Sequence, residues 1–161
     1  QEYGPRRERL DRLYDALRNG LPSSRTLAGC VIARRRGGVL VAREAGTTPA
    51  ELPLKPGIDA VWDGRFRVRM SHKAGDDPQM TLGALGRDGW AGLTAIRPEL
   101  RKSAIPPPAR PSLPVLRDKN GLLAVPHLNY WREKTGAELS NLVKLSFFPR
   151  NPLSLAAFSV V

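Results

Sequence analysis

Arg65, Arg67 and Arg69 alternate with Phe66, Val68 and Met70 in VWDGRFRVRM, residues 61–70. In an extended strand this spacing puts three guanidinium groups on one face, and Trp62, Phe66, Val68 and Met70 on the other. Such a stripe has two readings. It is a track for successive phosphates of a sugar–phosphate backbone, or it is the wet face of an antiparallel sheet. Arg34, Arg35 and Arg36 form a second group just before Gly37-Gly38. They read either as a phosphate-contacting hairpin tip or as the polar turn that any hairpin needs.

Groups able to make or break bonds are sparse. His72 and His127 stand far apart, with no cysteine or carboxylate at metal-ligand spacing. His127 follows Pro126 at the end of a strand, where it orients a loop by hydrogen bonds or lies on a binding surface. Glu44, Asp63 and Asp76-Asp77 form no acid–base pair by spacing, and Ser103, Ser112 and Ser140 lack a nucleophile-elbow setting. Gly83, Gly86 and Gly89 lack both the Lys-Ser/Thr of a phosphate loop and the spacing of a dinucleotide fingerprint. The single cysteine, Cys30, sits in an alternating apolar run and reads as a small buried hydrophobe. These residues point to holding a ligand rather than to independent catalysis, with no metal and no cofactor in this chain.

With 161 residues and 41% apolar content, the chain supports one modest core. A net charge of +11 and a sequence pI of 10.8 favour a polyanionic partner, nucleic acid first. No run of eighteen apolar residues exists, so no membrane span and a cytoplasmic setting are expected. The chain begins with Gln1, close to helix-like sequence, as a piece of a longer protein would.

The elements that must carry these residues follow from periodicity. Leu10, Leu13, Tyr14 and Leu17 predict an amphipathic helix between Pro5 and Asn19, stopped at Gly20. Residues 1–20 are expected as the end of a preceding helical domain, and 21–161 as an α+β domain. Residues 27–44 predict a hairpin broken at Gly37-Gly38, residues 46–57 a loop, and residues 61–70 a strand with a turn or bulge at Asp63-Gly64. After a surface loop at 71–79, a strand leads through a glycine turn into a helix capped by Asp88. Residues 105–114, IPPPARPSLP, predict a polyproline II connector, followed by strands at 115–117 and 122–125 around a turn. KTGAEL, residues 134–139, reads as amphipathic. The apolar stretch from Val143 onward closes the core or covers another surface. The fold class expected is α+β: an antiparallel sheet built from hairpins, a leading helix and one or two short packed helices.

The ordered set LAGCVIARRRGGVLVARE, VWDGRFRV, LGALGRDGW and ARPSLPVLRDKNGLLAVPHL resembles the C-terminal region of bacterial tRNA(Ile)-lysidine synthetase, over residues 27–130. The resemblance implies an enzyme that joins lysine to the wobble cytidine of an isoleucine tRNA with a CAU anticodon, using ATP and Mg, through an adenylated cytidine. That chemistry belongs to an N-terminal PP-loop domain with an SGGxDS-like signature, which these 161 residues do not contain. It implies a tRNA-gripping portion that works beside the PP-loop domain of the same polypeptide, with no catalytic residue here. On that reading Arg34, Arg35, Arg36, Arg65, Arg67, Arg69, Arg101, Lys102, Arg110 and His127 are the RNA-contacting residues. RNA of this kind is read mostly by shape and backbone. The alternative is a protein-interaction or structural domain in which the tail and Trp131 dock a partner and the basic charge is incidental.

Overall fold

The spacing of Leu10, Leu13, Tyr14 and Leu17 becomes helix α1, Arg7–Arg18, in the computed structural model, which describes residues 6–73, 79–132, 139 and 141–149. Gly20 ends it by taking φ +79, which lets the Gly20 and Leu21 N–H groups donate to the Leu17 and Ala16 carbonyls. This left-handed closure satisfies carbonyls that the last turn would leave open. Leu21 is buried beneath it, yet no residue of α1 itself is buried.

The arginine-tipped hairpin forms as expected. Strands β1 (Arg25–Leu27), β2 (Cys30–Arg35) and β3 (Gly38–Arg43) make an antiparallel sheet. Arg35 pairs with Gly38, so Arg36 and Gly37 are the turn, and Gly37 supplies the positive φ of 82°.

The expected break at Asp63-Gly64 is a turn rather than a bulge, and it makes the strand expected over 61–70 a hairpin. Strands β4 (Leu52–Leu54), β5 (Asp59–Trp62) and β6 (Phe66–Met70) follow in order, and β5 and β6 are joined through Asp63 and Gly64, at φ 54° and 62°. Asp-Gly accepts that left-handed pair, which matches the twist of the strands it connects. The alternation along β6 holds, with Phe66, Val68 and Met70 buried. β4 lies inside the segment expected as loop. Pro53, which cannot donate to a ladder, is tolerated there because β4 is the edge strand of its sheet.

β4 borders β7 (Met80–Ala84), and helix α2 (Gly86–Ile96) carries the chain to β8 (Pro114–Asp118), β9 (Gly121–Val125) and β10 (Tyr130–Trp131). This five-stranded sheet runs β10-β9-β8-β7-β4. Asp88 is not the cap of α2; it lies in the first turn, with Leu85 at the N-cap position. There its carboxylate faces the positive end of the helix dipole. From the apolar tail, Val143–Phe147 forms β11 and pairs with the free edge of β6. Val143 and Leu139 are buried in the core, so this part of the tail closes it. Residues 134–138 of KTGAEL and residues 155–161 lie outside the described residues.

The five-stranded sheet is the middle layer. Its Leu82, Leu116 and Ala124 face Trp62, Val68 and Met70 of the β11-β6-β5 sheet, while Val115 and Val125 face Leu93 and Trp90 of α2. Adjacent Val115 and Leu116 therefore serve opposite cores, as a central strand requires. A bulge shifts the register between Leu116 and Arg117, so Leu123 joins Ala124 on one side.

The proline-rich connector departs from its expectation. Pro106 is extended at φ −59°, ψ 141°, but Pro107–Ser112 winds into a 3₁₀ helix against α2. Local bonds select this form. Arg110 Nε donates to the Ile105 carbonyl at 3.0 Å, its guanidinium lies 4.5 Å from the Trp90 ring centre, and Ser112 Oγ donates to the Ala109 carbonyl. No helix among the described residues is long and apolar enough to cross a membrane. The assembled fold is α+β with antiparallel strands.

Leu82 is fully enclosed between two sheets. Leu82→Ala is expected to cost about 2–5 kcal/mol in urea denaturation, whereas exposed Val41→Thr leaves the midpoint almost unchanged.

Candidate functional site

The turn that reverses β5 into β6 buries a charge. Asp63 has 1% of its side chain exposed, and two arginines meet it from different elements. Arg65 bonds it from within the turn through Nε at 2.9 Å and also through Nη2. Arg43, at the end of β3, reaches it at 3.0 Å and donates from the same Nη2 to the Thr47 carbonyl at 2.7 Å. Arg65 extends further to the Ser112 carbonyl at 3.3 Å. One carboxylate thus pins the hairpin sheet, the β5–β6 turn and the 3₁₀ segment together.

A cleft of about 640 Å³ opens beside this cluster. Leu40, Ala42, Ile105 and Pro106 supply apolar walls, Phe147 stands at the mouth, and Cys30 lines it half-exposed. Cys30 is therefore not the buried core residue that its apolar run suggested. His127, in the short 3₁₀ turn Pro126–Leu128, packs edge-on against Phe66 at 5.3 Å between ring centres. Its Nδ1 is buried without a hydrogen-bond partner, as is Arg43 Nε. Burial first, and then the charge of Arg65, hold the imidazole below its ordinary pKa and favour the neutral ring.

The arginine stripe is brought to one face, but its charges are shared. Arg67 grips Asp59 with two bonds of 2.7 Å, and Arg69 Nε reaches the same carboxylate at 3.2 Å. The Arg67 hydrogen bond, with both guanidinium charges, holds Asp59 below the usual carboxylate range. Lys144 of β11 stands opposite Arg69 in the ladder, and Arg67 lies 5.6 Å from the Phe148 ring centre. Three cations against one carboxylate leave this face positive. Arg65 is committed to Asp63.

The remaining cations separate in the same way. Arg34 donates to the Gly20 carbonyl at 3.1 Å, tying the hairpin to the end of α1. Arg110 is held inside the 3₁₀ segment, donating also to the Arg101 carbonyl. Arg35 and Arg36 at the hairpin tip, and Arg101 and Lys102 closing the 3₁₀ segment Pro98–Lys102, are exposed, and their side chains make no ion pair among the described residues. Exposed His72 lies over Gly57, where a Cβ would come within 2.2 Å of the ring, and is not among the residues that line the cleft. Gly83 is within β7, while Gly86 and Gly89 are within α2, so they form no phosphate loop. Among the described residues no cluster of three or more His, Cys, Asp or Glu is placed to hold a metal ion.

Sequence reasoning missed the Arg43–Asp63 pair and the cleft walls. The one local signal was the Asp-Gly turn; the partners are distant in the chain.

The chain is 38% identical over 124 residues to tRNA(Ile)-lysidine synthase of Caulobacter vibrioides, a match covering 74% of this chain and 28% of that protein. It is 38% identical over 69 residues to tRNA(Ile)-lysidine synthase of Rhizobium meliloti, covering 43% of this chain and 15% of the relative. With the enzyme of the same name in Rickettsia bellii it shares 35% identity over 63 residues, 39% of this chain and 15% of the relative. The chain thus spans under a third of the length of the curated relatives it matches. No family model and no solved structure matches it.

Asp63→Asn removes the charge that two arginines share. It is expected to lower unfolding stability by about 1–3 kcal/mol, read in denaturant melts, while Asp59→Asn on the exposed face barely moves the midpoint. His127 adds a pH dependence. Its pKa is depressed below the ordinary 6.5, so in mild acid the unfolded chain takes up a proton that the fold refuses. Stability is full above that ordinary value and declines as pH falls through the lowered one. Thermal melts from neutral pH into mild acid are expected to show a smaller acid loss in His127→Gln than in the parent chain.

Proposed function

We propose that this chain, a homologue of part of tRNA(Ile)-lysidine synthase, is the portion of such an enzyme that holds the RNA rather than the portion that performs the chemistry. The observation that carries the reading is the 38% identity across three quarters of the chain. On this reading the partner is the isoleucine tRNA with a CAU anticodon. The whole enzyme, cytoplasmic like its substrate, uses ATP and Mg to join lysine to the wobble cytidine. The residues here do not fit that cofactor pair: the chain has no SGGxDS-like signature, and its described residues offer no carboxylate cluster for Mg. No step of the ligation is assigned to this chain. It corresponds in the proposal to the C-terminal region, working beside a PP-loop domain of the same polypeptide.

Electrostatics support the reading. A chain of charge +11 gains free energy on meeting phosphates, because each contact releases condensed counterions. Of the ten candidate residues, Arg35, Arg36, Arg101 and Lys102 are the cations most available for such contacts. Arg67, Arg69 and Lys144 form a second track whose strength is reduced by Asp59. Arg34, Arg65, Arg110 and His127 serve the interface by fixing its shape.

A second reading rests on a separate observation. Leu10, Tyr14 and Leu17 leave an apolar strip of α1 exposed. We assign residues 1–20 to the join with the rest of the polypeptide, which covers that strip, and residues 21–161 to the RNA-holding unit. If instead the whole chain is a protein-interaction domain, self-association insensitive to salt is expected, with no RNA bound.

Titration of the chain with isoleucine tRNA and with an unrelated tRNA, at two salt concentrations, is expected to show binding that weakens as salt rises. Replacing Arg35 and Arg36 together by Gln is expected to reduce the slope of log affinity against log salt by about 1.5, as two lost phosphate contacts would. A slope unchanged by that pair removes the hairpin tip from the interface, and absence of RNA binding contradicts the reading.

A further inference from the structure

The cleft beside Asp63 has features that phosphate contacts alone do not use. Its volume of about 640 Å³ lies in the range of pockets that enclose small molecules. It is far too narrow for an RNA duplex. Its walls, Leu40 and Ala42 on one side and Ile105 and Pro106 on the other, suit a flat apolar surface, and half-exposed Phe147 at the mouth offers a ring for stacking.

The floor is polar and incompletely satisfied. Arg43, Asp63, Arg65 and His127 put polar side chains on its lining, while Arg43 Nε and His127 Nδ1 themselves lie buried behind that surface without a hydrogen-bond partner. Charge narrows the choice further. Arg43 and Arg65 share the single carboxylate of Asp63, so the floor keeps one net positive charge beside a neutral imidazole. A planar heteroaromatic ring with one attached anion matches the walls and the charge together.

Phe147 shares the Phe66 side of the sheet, whereas Ser146 and Lys144 share the other side with Arg67 and Arg69. The next residue, Phe148, lies beside Arg67, so the cleft mouth and the cations stand on opposite sides of β11 but one residue apart.

We propose that the cleft takes one unpaired nucleotide of a bound RNA, its base between the apolar walls and its phosphate beside Arg65. The inference rests on the RNA-holding reading above and adds a substrate feature to it: a single-stranded position next to a duplex. Stacking on side chains is how proteins hold unpaired RNA bases.

Cys30 lines the cleft and is the chain's single cysteine, so its alkylation reports occupancy in the unaltered protein. The rate of reaction with iodoacetamide is measured with a blunt RNA hairpin, with the same hairpin carrying a four-nucleotide 3′ overhang, and with AMP or CMP alone. The overhang RNA is expected to slow alkylation several-fold and to bind about tenfold more tightly than the blunt one, the gain typical of one stacked base. Phe147→Ala, which removes the half-exposed ring at the mouth, is expected to abolish that preference while blunt-RNA binding persists. Equal binding of both RNAs without protection of Cys30 overturns the inference and leaves the RNA-holding reading standing. Equal protection by free AMP or CMP and by the overhang RNA overturns the assignment to RNA. Failure to bind either RNA overturns the reading itself, and the inference with it.

Discussion

Asp63 is a carboxylate with almost no access to water, held between Arg43 and Arg65, and the rest of the molecule is arranged around that arrangement. Burying a charge is unfavourable unless partners replace the lost water, so the two arginines have to be where they are. One comes from the β2–β3 hairpin. The other belongs to the β5–β6 turn and reaches on to the Ser112 carbonyl beside the five-stranded sheet. Three pieces with little direct backbone pairing between them are therefore fixed in orientation by one polar knot. Hydrophobic burial supplies much of the driving force in the two packed layers, but it is not directional. The hydrogen bonds of the knot set the angle of the hairpin, and that angle creates the cleft.

The same constraint explains why net charge alone is a poor guide to the interface. The chain carries 26 basic and 15 acidic residues, and several arginines are spent internally. Arg110 stacks on Trp90, and Arg117 ties Glu51 to the carbonyls of Ala84 and Leu85. Guanidinium suits this work, being planar, multiply donating and permanently charged. Of the candidate cations, those that remain for a polyanion are at the hairpin tip, at the end of the Pro98–Lys102 segment and on the partly neutralised face of β6 and β11, in addition to the exposed arginines of α1. On the proposed reading, such a surface beside the Asp63 cleft suits recognition of folded RNA by shape plus a single unpaired position better than a uniform phosphate grip.

Features set by neighbours in the chain were legible before the fold. The alternation at Phe66, Val68 and Met70, the helix ended by Gly20, and the turn at Gly37 each follow from local rules and appear in place. Features set by distant partners were not. β4 exists because Leu52 and Leu54 pair with β7 some thirty residues away. The winding of Pro107–Ser112 depends on Trp90, and the burial of Asp63 depends on Arg43. The arginine stripe shows both sides of this boundary. Its shared face was written in the period-two pattern, whereas its partial neutralisation by Asp59 required knowing that the chain reverses at Asp63-Gly64.

The measurement that bears most directly on the account is a residue-resolved NMR titration of the 161-residue chain with isoleucine tRNA. The account predicts that perturbed amides gather at the hairpin tip, around Arg101 and Lys102, and along the cleft from Ala42 to His127, while the buried strands β8 and β9 away from His127 and the exposed strip of α1 stay quiet. Perturbations confined to α1, or absent throughout at low salt, would contradict it.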